Sequence, residues 1–275
     1  MKRAGTSLIE LMISLVVLSI FAAAMTLLIT SNSRADENTD ARREARGVAR
    51  SAINMLESEI RTGEPAGVIS ADDSTFTFRQ PFAFGVVCDT LSGNVTIATL
   101  PSADLPGSLL VTGYTGWAYR DSTGSYHYQS STTIASGTAA TCTGQGITPL
   151  TASSGRVVQV PKVSGPQPGS VAFLYRQITY SLRASAALSG RRGLFRTPGA
   201  GGTAVEFATP FASTARFRWY LLHATEAVDT LPTSFADLSG IQFVLPAQST
   251  YTPRTASGPM QAPFTTSIFF QNRPN

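Results

Sequence analysis

Residues 6–29 read TSLIELMISLVVLSIFAAAMTLLI, and this stretch decides how the chain is organised. From Leu11 to Ile29 it is apolar except for two serines and one threonine. About 20 helical residues are enough to cross the hydrocarbon core of a bilayer. The residues that follow offer no good Ala-x-Ala-like cleavage site, so the segment is expected to stay on the mature chain. The sequence therefore predicts a membrane-spanning helix over residues 6–30.

One carboxylate, Glu10, stands close to the start of this apolar run. An unpaired charge inside a bilayer costs roughly 2–3 kcal/mol or more, so a residue this costly invites a functional explanation. The alternative is a plain anchor whose Glu10 extends to the membrane interface. Lys2 and Arg3 precede the apolar run, and basic residues favour the cytoplasmic side of a membrane. The charges predict a cytoplasmic N-terminus and a body on the far side.

The first 30 residues resemble the type IV prepilin family, through a short basic leader over residues 1–5, a Ser-Leu-Ile-Glu-Leu-Met stretch and a long apolar helix. In that family a prepilin peptidase cleaves after the glycine and methylates the new N-terminus. The resemblance implies cleavage between Gly5 and Thr6, N-methylation of Thr6, and Glu10 as the assembly carboxylate that meets the amino terminus of a neighbouring subunit. A positive terminus and a carboxylate satisfy each other in lipid. Thr6 departs from the Phe or Met usual at that position.

After Ile29 the sequence changes to an amphipathic helical pattern. Apolar residues recur at spacings of three and four and form one stripe, made of Ala41, Ala45, Val48, Ala49, Ala52, Ile53, Leu56 and Ile60. A glycine and a proline shortly afterwards predict the end of the helix near Thr62. Residues 31–62 are therefore predicted to continue the membrane helix into the body, which makes a helix on the order of 80 Å long.

Residues 63–275 are expected to form a β-rich extracytoplasmic domain, because short runs of β-branched and aromatic residues recur and helical periodicity is weak. Predicted strands are residues 75–78, 84–87, 95–98, 156–160, 170–183, 217–222, 240–245 and 265–270. Residues of about 122–155 carry no Asp, Glu, Lys or Arg and predict an insertion or hairpin with long loops. The predicted fold class is α+β and pilin-like, with one long N-terminal helix packed on a C-terminal antiparallel β-sheet body.

The two cysteines, Cys88 and Cys142, lie far beyond the apolar segment. In an exported domain they can pair. A bridge would close a loop of about 55 residues and stabilise the fold by on the order of 4 kcal/mol. The alternative is two buried free thiols. We predict the disulfide, which would tie the stretch over residues 122–155 to the body.

The sequence carries no recognisable catalytic, cofactor or metal motif. His127 and His223 are the only histidines, and neither lies at a metal-ligand spacing from a second ligand. Asp72-Asp73 is interpreted as a turn rather than as half of a calcium site. The net charge is +4 and the basic residues are scattered along the chain, so no nucleic-acid partner is predicted. We expect a structural protein without enzyme activity or cofactor.

The resemblance implies prepilin peptidase, other pilins or pseudopilins, an inner-membrane assembly platform and inner-membrane lipid as partners. The order of short C-terminal motifs, from residues 178–182 to 265–270, is similar to larger minor pilins and to the J-type minor pseudopilins of type II secretion. The expected function is a minor subunit that initiates or caps a filament, with a single-pass inner-membrane helix and a periplasmic body. The alternatives are a tip-displayed adhesin or substrate-binding module and a membrane-anchored periplasmic hydrolase.

Overall fold

The computed structural model describes residues 8–90, 93–100, 114–131, 133–149, 156–199 and 201–270. Its longest element is helix α1, which runs for 53 residues from Leu8 to Ile60. At 1.5 Å per residue this helix is about 80 Å long. It ends two residues before the predicted end, and the N–H of Gly63 donates to the carbonyl of Ile60 at 2.9 Å.

The second half of α1 packs on the body through the predicted apolar stripe. Its buried residues are Ala41, Ala45, Ala49, Ala52, Ile53, Leu56 and Ile60. Four of these seven are alanines, and their short side chains let the helix axis approach the sheet closely. The large apolar residues between Leu8 and Ile29 are all exposed. One continuous helix therefore has a C-terminal half that packs on the body and an N-terminal half that the described body does not bury.

Within the described residues, fifteen strands and three short helices follow α1. The strands are β1 (Val68–Ala71), β2 (Thr75–Asp89), β3 (Asn94–Thr99), β4 (Tyr114–Arg120), β5 (Tyr126–Ser130), β6 (Ala135–Ser136), β7 (Arg156–Pro161), β8 (Val171–Ala184), β9 (Arg192–Pro198), β10 (Val205–Phe211), β11 (Arg216–Leu221), β12 (Leu238–Val244), β13 (Ala247–Gln248), β14 (Gln261–Ala262) and β15 (Thr265–Phe269). The short helices are a 3₁₀ turn over Pro65–Gly67, α2 (Ala139–Thr143) and a 3₁₀ turn over Phe235–Asp237. Every predicted strand lies on one of these strands to within one residue.

Two long strands, β2 and β8, form the axis of the larger sheet. They pair antiparallel from Thr75 opposite Ser181 to Val86 opposite Val171. β1 and β9 flank this pair over the half nearer the helix, whereas β3 and β4 flank it over the other half. The predicted strands at 75–78 and 84–87 are thus one strand. Different strands flank the two ends of the β2–β8 pair, so this one pair belongs to both halves of the body.

Each half has its own hydrophobic core. In the first, the α1 stripe packs on Phe76, Tyr180 and the residues of a second, three-stranded sheet in the order β11-β12-β15. In the distal half, Trp117 and Leu174 pack with the valines and isoleucines of β3 and β7. The α+β, pilin-like fold class is confirmed, since one long N-terminal helix packs on an antiparallel β-sheet body.

A buried ion pair joins the end of α1 to the sheet. The Glu59 carboxylate binds Arg196 of β9 through two contacts, with Arg196 Nη2 at 2.9 Å from Oε1 and Nε donating to Oε2 at 3.1 Å. The Tyr180 hydroxyl donates to the same carboxylate. The two charged side chains are only 20% and 15% exposed. Such two-point geometry orients both partners strongly.

Replacing Glu59 with alanine should lower the free energy of unfolding by about 3 kcal/mol, because it leaves the Arg196 charge and the Tyr180 hydroxyl buried without their acceptor. Chemical denaturation of the full chain in detergent measures the effect. The matched control is Glu57→Ala, which removes an exposed pair with Arg61 and should cost less than about 1 kcal/mol. Equal losses in the two variants would contradict the role of this pair.

Candidate assembly site

The first half of α1 exposes apolar side chains on every face. Leu8, Leu18 and Leu27 are 79, 70 and 71% exposed. Within the described residues α1 is the one helix long and apolar enough to span a membrane, and its most apolar 18-residue window has a mean hydropathy of 2.6 and is 0% buried. A helix that is apolar all round requires lipid or other helices around it. This segment is therefore a surface for membrane insertion and for contact with other helices.

The hydroxyl groups of the segment are satisfied within the helix. Ser14 Oγ donates to the Glu10 carbonyl at 2.6 Å, and Thr26 Oγ1 donates to the Ala22 carbonyl at 2.8 Å. Such bonds to the preceding turn remove the need for water, which lipid cannot supply. The remaining strongly polar group is the carboxylate of Glu10, the one ionisable side chain in the sequence between Leu8 and Ser33.

Glu10 lies on the first described turn of α1, and its side chain is exposed. An exposed position on an apolar helix makes the carboxylate accessible to a group on a neighbouring helix. The predicted cleavage and methylation residues, Gly5 and Thr6, lie outside the described residues. Their roles and the role of Glu10 in assembly remain predictions.

A loop near the C-terminus contacts α1 at Glu37 and Glu44, where the exposed and buried halves of the helix meet. Thr250 donates to the Glu44 carboxylate through its hydroxyl at 2.7 Å and its backbone N–H at 3.2 Å. The Tyr251 hydroxyl donates to the Glu37 carbonyl at 3.0 Å, and Arg254 lies 3.7 Å from the Glu37 carboxylate. No local sequence pattern predicts this loop, because its Thr250 lies 206 residues from its partner Glu44. The loop orients the apolar half of α1 relative to the body.

The two cysteines are bonded in the structure. Cys88 lies in β2 and Cys142 in the short helix α2, and both are fully buried beside Val157. The described part of residues 122–155 consists of β5, β6 and α2. The bond therefore connects α2 to the distal end of one of the two central strands.

The Cys88→Ser/Cys142→Ser variant should lose about 4 kcal/mol of unfolding free energy, because the unfolded chain regains the freedom of a 54-residue loop. Urea unfolding of the full chain in detergent measures this loss. Wild type treated with a reductant serves as the matched control and should lose a similar amount. A loss below about 1 kcal/mol in both samples would show that the bond contributes little.

A buried carboxylate lies where α1 leads into the sheet. Glu64 is 4% exposed, and the Tyr128 hydroxyl of β5 donates to its Oε1 at 2.6 Å. The Arg79 guanidinium of β2 lies over the Tyr128 ring, 4.6 Å from its centre. Burial raises the pKa of Glu64 to about 7, although the Tyr128 hydrogen bond and the charges of Arg120 and Arg79 act against that rise. This contact connects the segment after α1 to the distal half of the body.

The pKa of Glu64 predicts that stability falls as pH rises from about 4.5 to 7. The folded state holds the proton more tightly than the unfolded state, so its advantage is complete below the unfolded pKa and is lost through the folded pKa. The loss amounts to about 3 kcal/mol. Denaturant unfolding between pH 4.5 and 8 measures it, and Glu64→Gln should flatten the curve. The exposed control Glu57→Gln should keep the pH dependence of wild type. The same pH dependence in Glu64→Gln and wild type would contradict the assignment to Glu64.

The histidines and the Asp72-Asp73 pair have structural surroundings. His127 Nε2 lies 2.7 Å from Asp121 Oδ2, and its ring stacks on Tyr119. His223 follows β11 in a turn with φ of 64°. Asp72 accepts from the backbone N–H of Ser74 at 2.7 Å, as in an Asx turn. In the described ranges no three His, Cys, Asp or Glu side chains converge on a possible metal position.

Comparison with known proteins finds similarity in the N-terminal segment of the chain. The family described as the prokaryotic N-terminal methylation motif matches residues 1–26. No curated protein and no solved structure matches the chain. The motif implies processing by a prepilin peptidase and association with other pilins, and with the apolar helix it is consistent with an inner-membrane anchor. Over residues 1–26 the chain carries the N-terminal motif of the type IV prepilin-like proteins, and this motif leads into a long helix packed on an antiparallel β body.

Proposed function

We propose that the chain is a minor pilin or minor pseudopilin that is incorporated into, initiates or caps a type IV pilus-like or type II secretion filament. The observation that carries the proposal is the exposed apolar half of α1, with Glu10 at its start, on a chain that has the methylation motif. Before assembly, the helix crosses the inner membrane once, with the N-terminus cytoplasmic and the body periplasmic.

Assembly then exchanges lipid for protein around the apolar half of α1. Prepilin peptidase cleaves between Gly5 and Thr6, and the new N-terminus at Thr6 is positively charged and becomes methylated. The carboxylate of Glu10 neutralises the N-terminus of a neighbouring subunit, because a charge pair in apolar surroundings is far less costly than two separate charges. The same pairing sets the axial offset between neighbouring helices. An inner-membrane assembly platform would drive this exchange.

The size of the body supports a minor rather than a major subunit. The distal half, with its own core and disulfide, adds to a body already complete around α1. Such bulk is difficult to repeat at every position of a narrow filament. Quantitative proteomics of sheared filaments tests the proposal, and the chain should be present at a small fraction of the major component. Dominance of this chain would contradict the minor role, and its absence would contradict incorporation.

The adhesin alternative receives less support from the structure. Two aromatic side chains of β4 that could otherwise form a binding surface lie inside, since Trp117 is 0% and Tyr119 5% exposed. They pack in the distal core with Leu174. A binding assay of the full chain in detergent against surfaces, DNA and secretion substrates separates the two functions, because the structural role predicts no affinity for any of them.

A further inference from the structure

Three arginines form a row along the exposed face of α1. Arg42, Arg46 and Arg50 repeat every four residues, and all three are exposed. Residues four apart are neighbours on a helix surface, and like charges at that spacing destabilise the helix. Arg43, which lies off this row, has a carboxylate partner, since its Nη1 is 3.5 Å from Asp40 Oδ1. Within the described residues the three arginines of the row make no ion pair, so their mutual repulsion is not compensated inside the chain.

A glycine borders this row. Gly47 precedes Arg50 by three residues, so it is an adjacent position on the helix surface. A Cβ at Gly47 would meet no atom within 4 Å. Glycine inside a helix lowers helix stability, and here no internal contact requires it. It does leave space for another chain to approach the helix backbone beside the arginine row.

The proposed pairing of Glu10 with the Thr6 terminus of a neighbour limits what can face this row. Because Thr6 of the neighbour would lie beside Glu10, each residue of the neighbour would lie at the same height along the helix axis as the residue four positions later in this chain. In two copies of this chain, Arg42 of one would be level with Arg46 of the other, and Arg46 with Arg50. The acidic residues Asp36, Asp40 and Glu44 also repeat every four residues. In two copies, each of the first two would therefore be level with another acidic residue. Homotypic neighbours would therefore bring like charges together, which disfavours that pairing.

We propose that Arg42, Arg46 and Arg50 bind an acidic helix face on a different prepilin-type subunit and disfavour a second copy of this chain as the neighbour. The inference rests on the proposed function, and it adds the chemistry of the partner. Charge complementarity of this kind selects partners and register more than it adds affinity. The row thus acts as a specificity surface, whereas the apolar half of α1 supplies the general contact with other helices.

A photo-activated cross-linker at Thr39 tests the proposal. Thr39 is exposed and lies on the same helix face, three residues before Arg42, so all three arginines are kept. In cells with the complete assembly system, the cross-linked product should be a different prepilin-type chain with carboxylates at the facing levels. The variant R42E/R46E/R50E should lower its yield about tenfold, whereas R42K/R46K/R50K should stay within about twofold of wild type. Changing the partner's carboxylates to lysine should restore the yield with the reversed row.

Each other outcome overturns the inference. A product with a second copy, with a chain that lacks an acidic helix face, or no product at all would show that the row does not select such a partner. Unfolding midpoints of both triple variants should equal that of wild type, which separates loss of contact from loss of fold. If the wild-type chain is recovered in sheared filaments but the cross-linked product does not form, this inference alone is removed. Absence of wild type from filaments removes the proposed function and this inference together.

Discussion

Replacing Glu10 with alanine should leave precursor cleavage intact and lower recovery of the chain in sheared filaments by at least about tenfold. Without the carboxylate, the positive terminus of the neighbouring subunit enters apolar surroundings unpaired, at a cost of about 2.5–3.5 kcal/mol. Each 1.4 kcal/mol corresponds to a factor of about ten in an equilibrium constant. Immunoblotting of the mature chain in sheared and membrane fractions measures the ratio.

Two further variants separate the charge of Glu10 from its place in the helix. Glu10→Gln keeps the shape and removes the charge, so it should assemble as poorly as Glu10→Ala. Ser14→Ala changes the next turn of the same helix face and removes only a hydroxyl that bonds the Glu10 carbonyl. It should assemble within about twofold of wild type, because the lost hydrogen bond is worth only about 1 kcal/mol and the helix carbonyl keeps its backbone partner. Normal assembly of Glu10→Ala would remove the proposed pairing role.

Replacing Gly5 with valine should abolish processing, so that only the precursor accumulates. In the proposed processing the peptidase acts at the bond after Gly5, and a β-branched side chain beside that bond both restricts the backbone and adds bulk. The positive terminus at Thr6 never forms, so the proposed pair between this terminus and Glu10 of a neighbour cannot form and the chain should also be absent from filaments. Mass spectrometry of the N-terminus in membrane extracts measures cleavage, and the wild-type spectrum reports whether Thr6 is methylated.

Ala4→Val is the matched control for this second prediction. It places the same valine side chain one residue earlier and leaves the glycine at the proposed scissile bond. Its precursor should be cleaved as in wild type, and the mature chain should assemble. Efficient cleavage of Gly5→Val at the same bond would show that the glycine does not define the site.

Local patterns predicted a large part of the fold. The stripe from Ala41 to Ile60 was readable because a helix repeats its faces every 3.6 residues, and the structure buries that stripe. The predicted strands lie on observed strands for a similar reason, since β-branched and aromatic residues favour a pleated surface. The prediction missed β1, β4, β5, β9 and β10, and it also missed β6, β13 and β14, whose two residues carry no measurable pattern.

Contacts between distant segments required the tertiary structure. Glu59 and Arg196 are 137 residues apart, and Thr250 is 206 residues from Glu44. A single sequence shows that each residue is charged or polar but not which partner it meets. The division of the body into two halves also depends on register, because β2 and β8 pair over most of their length while different strands flank them in each half.

The N-terminal helix of this protein, from the methylation motif and Glu10 to the amphipathic end of α1, could be predicted from the sequence alone. Those features follow from composition and period within one helix, which are local properties. The tertiary structure was needed to show how the body is built around β2 and β8 and how Glu59, Glu64 and the loop after Gln248 hold the helix. Each of these depends on pairing across long sequence separations, where the free energy of a contact is set by the partner and by its burial.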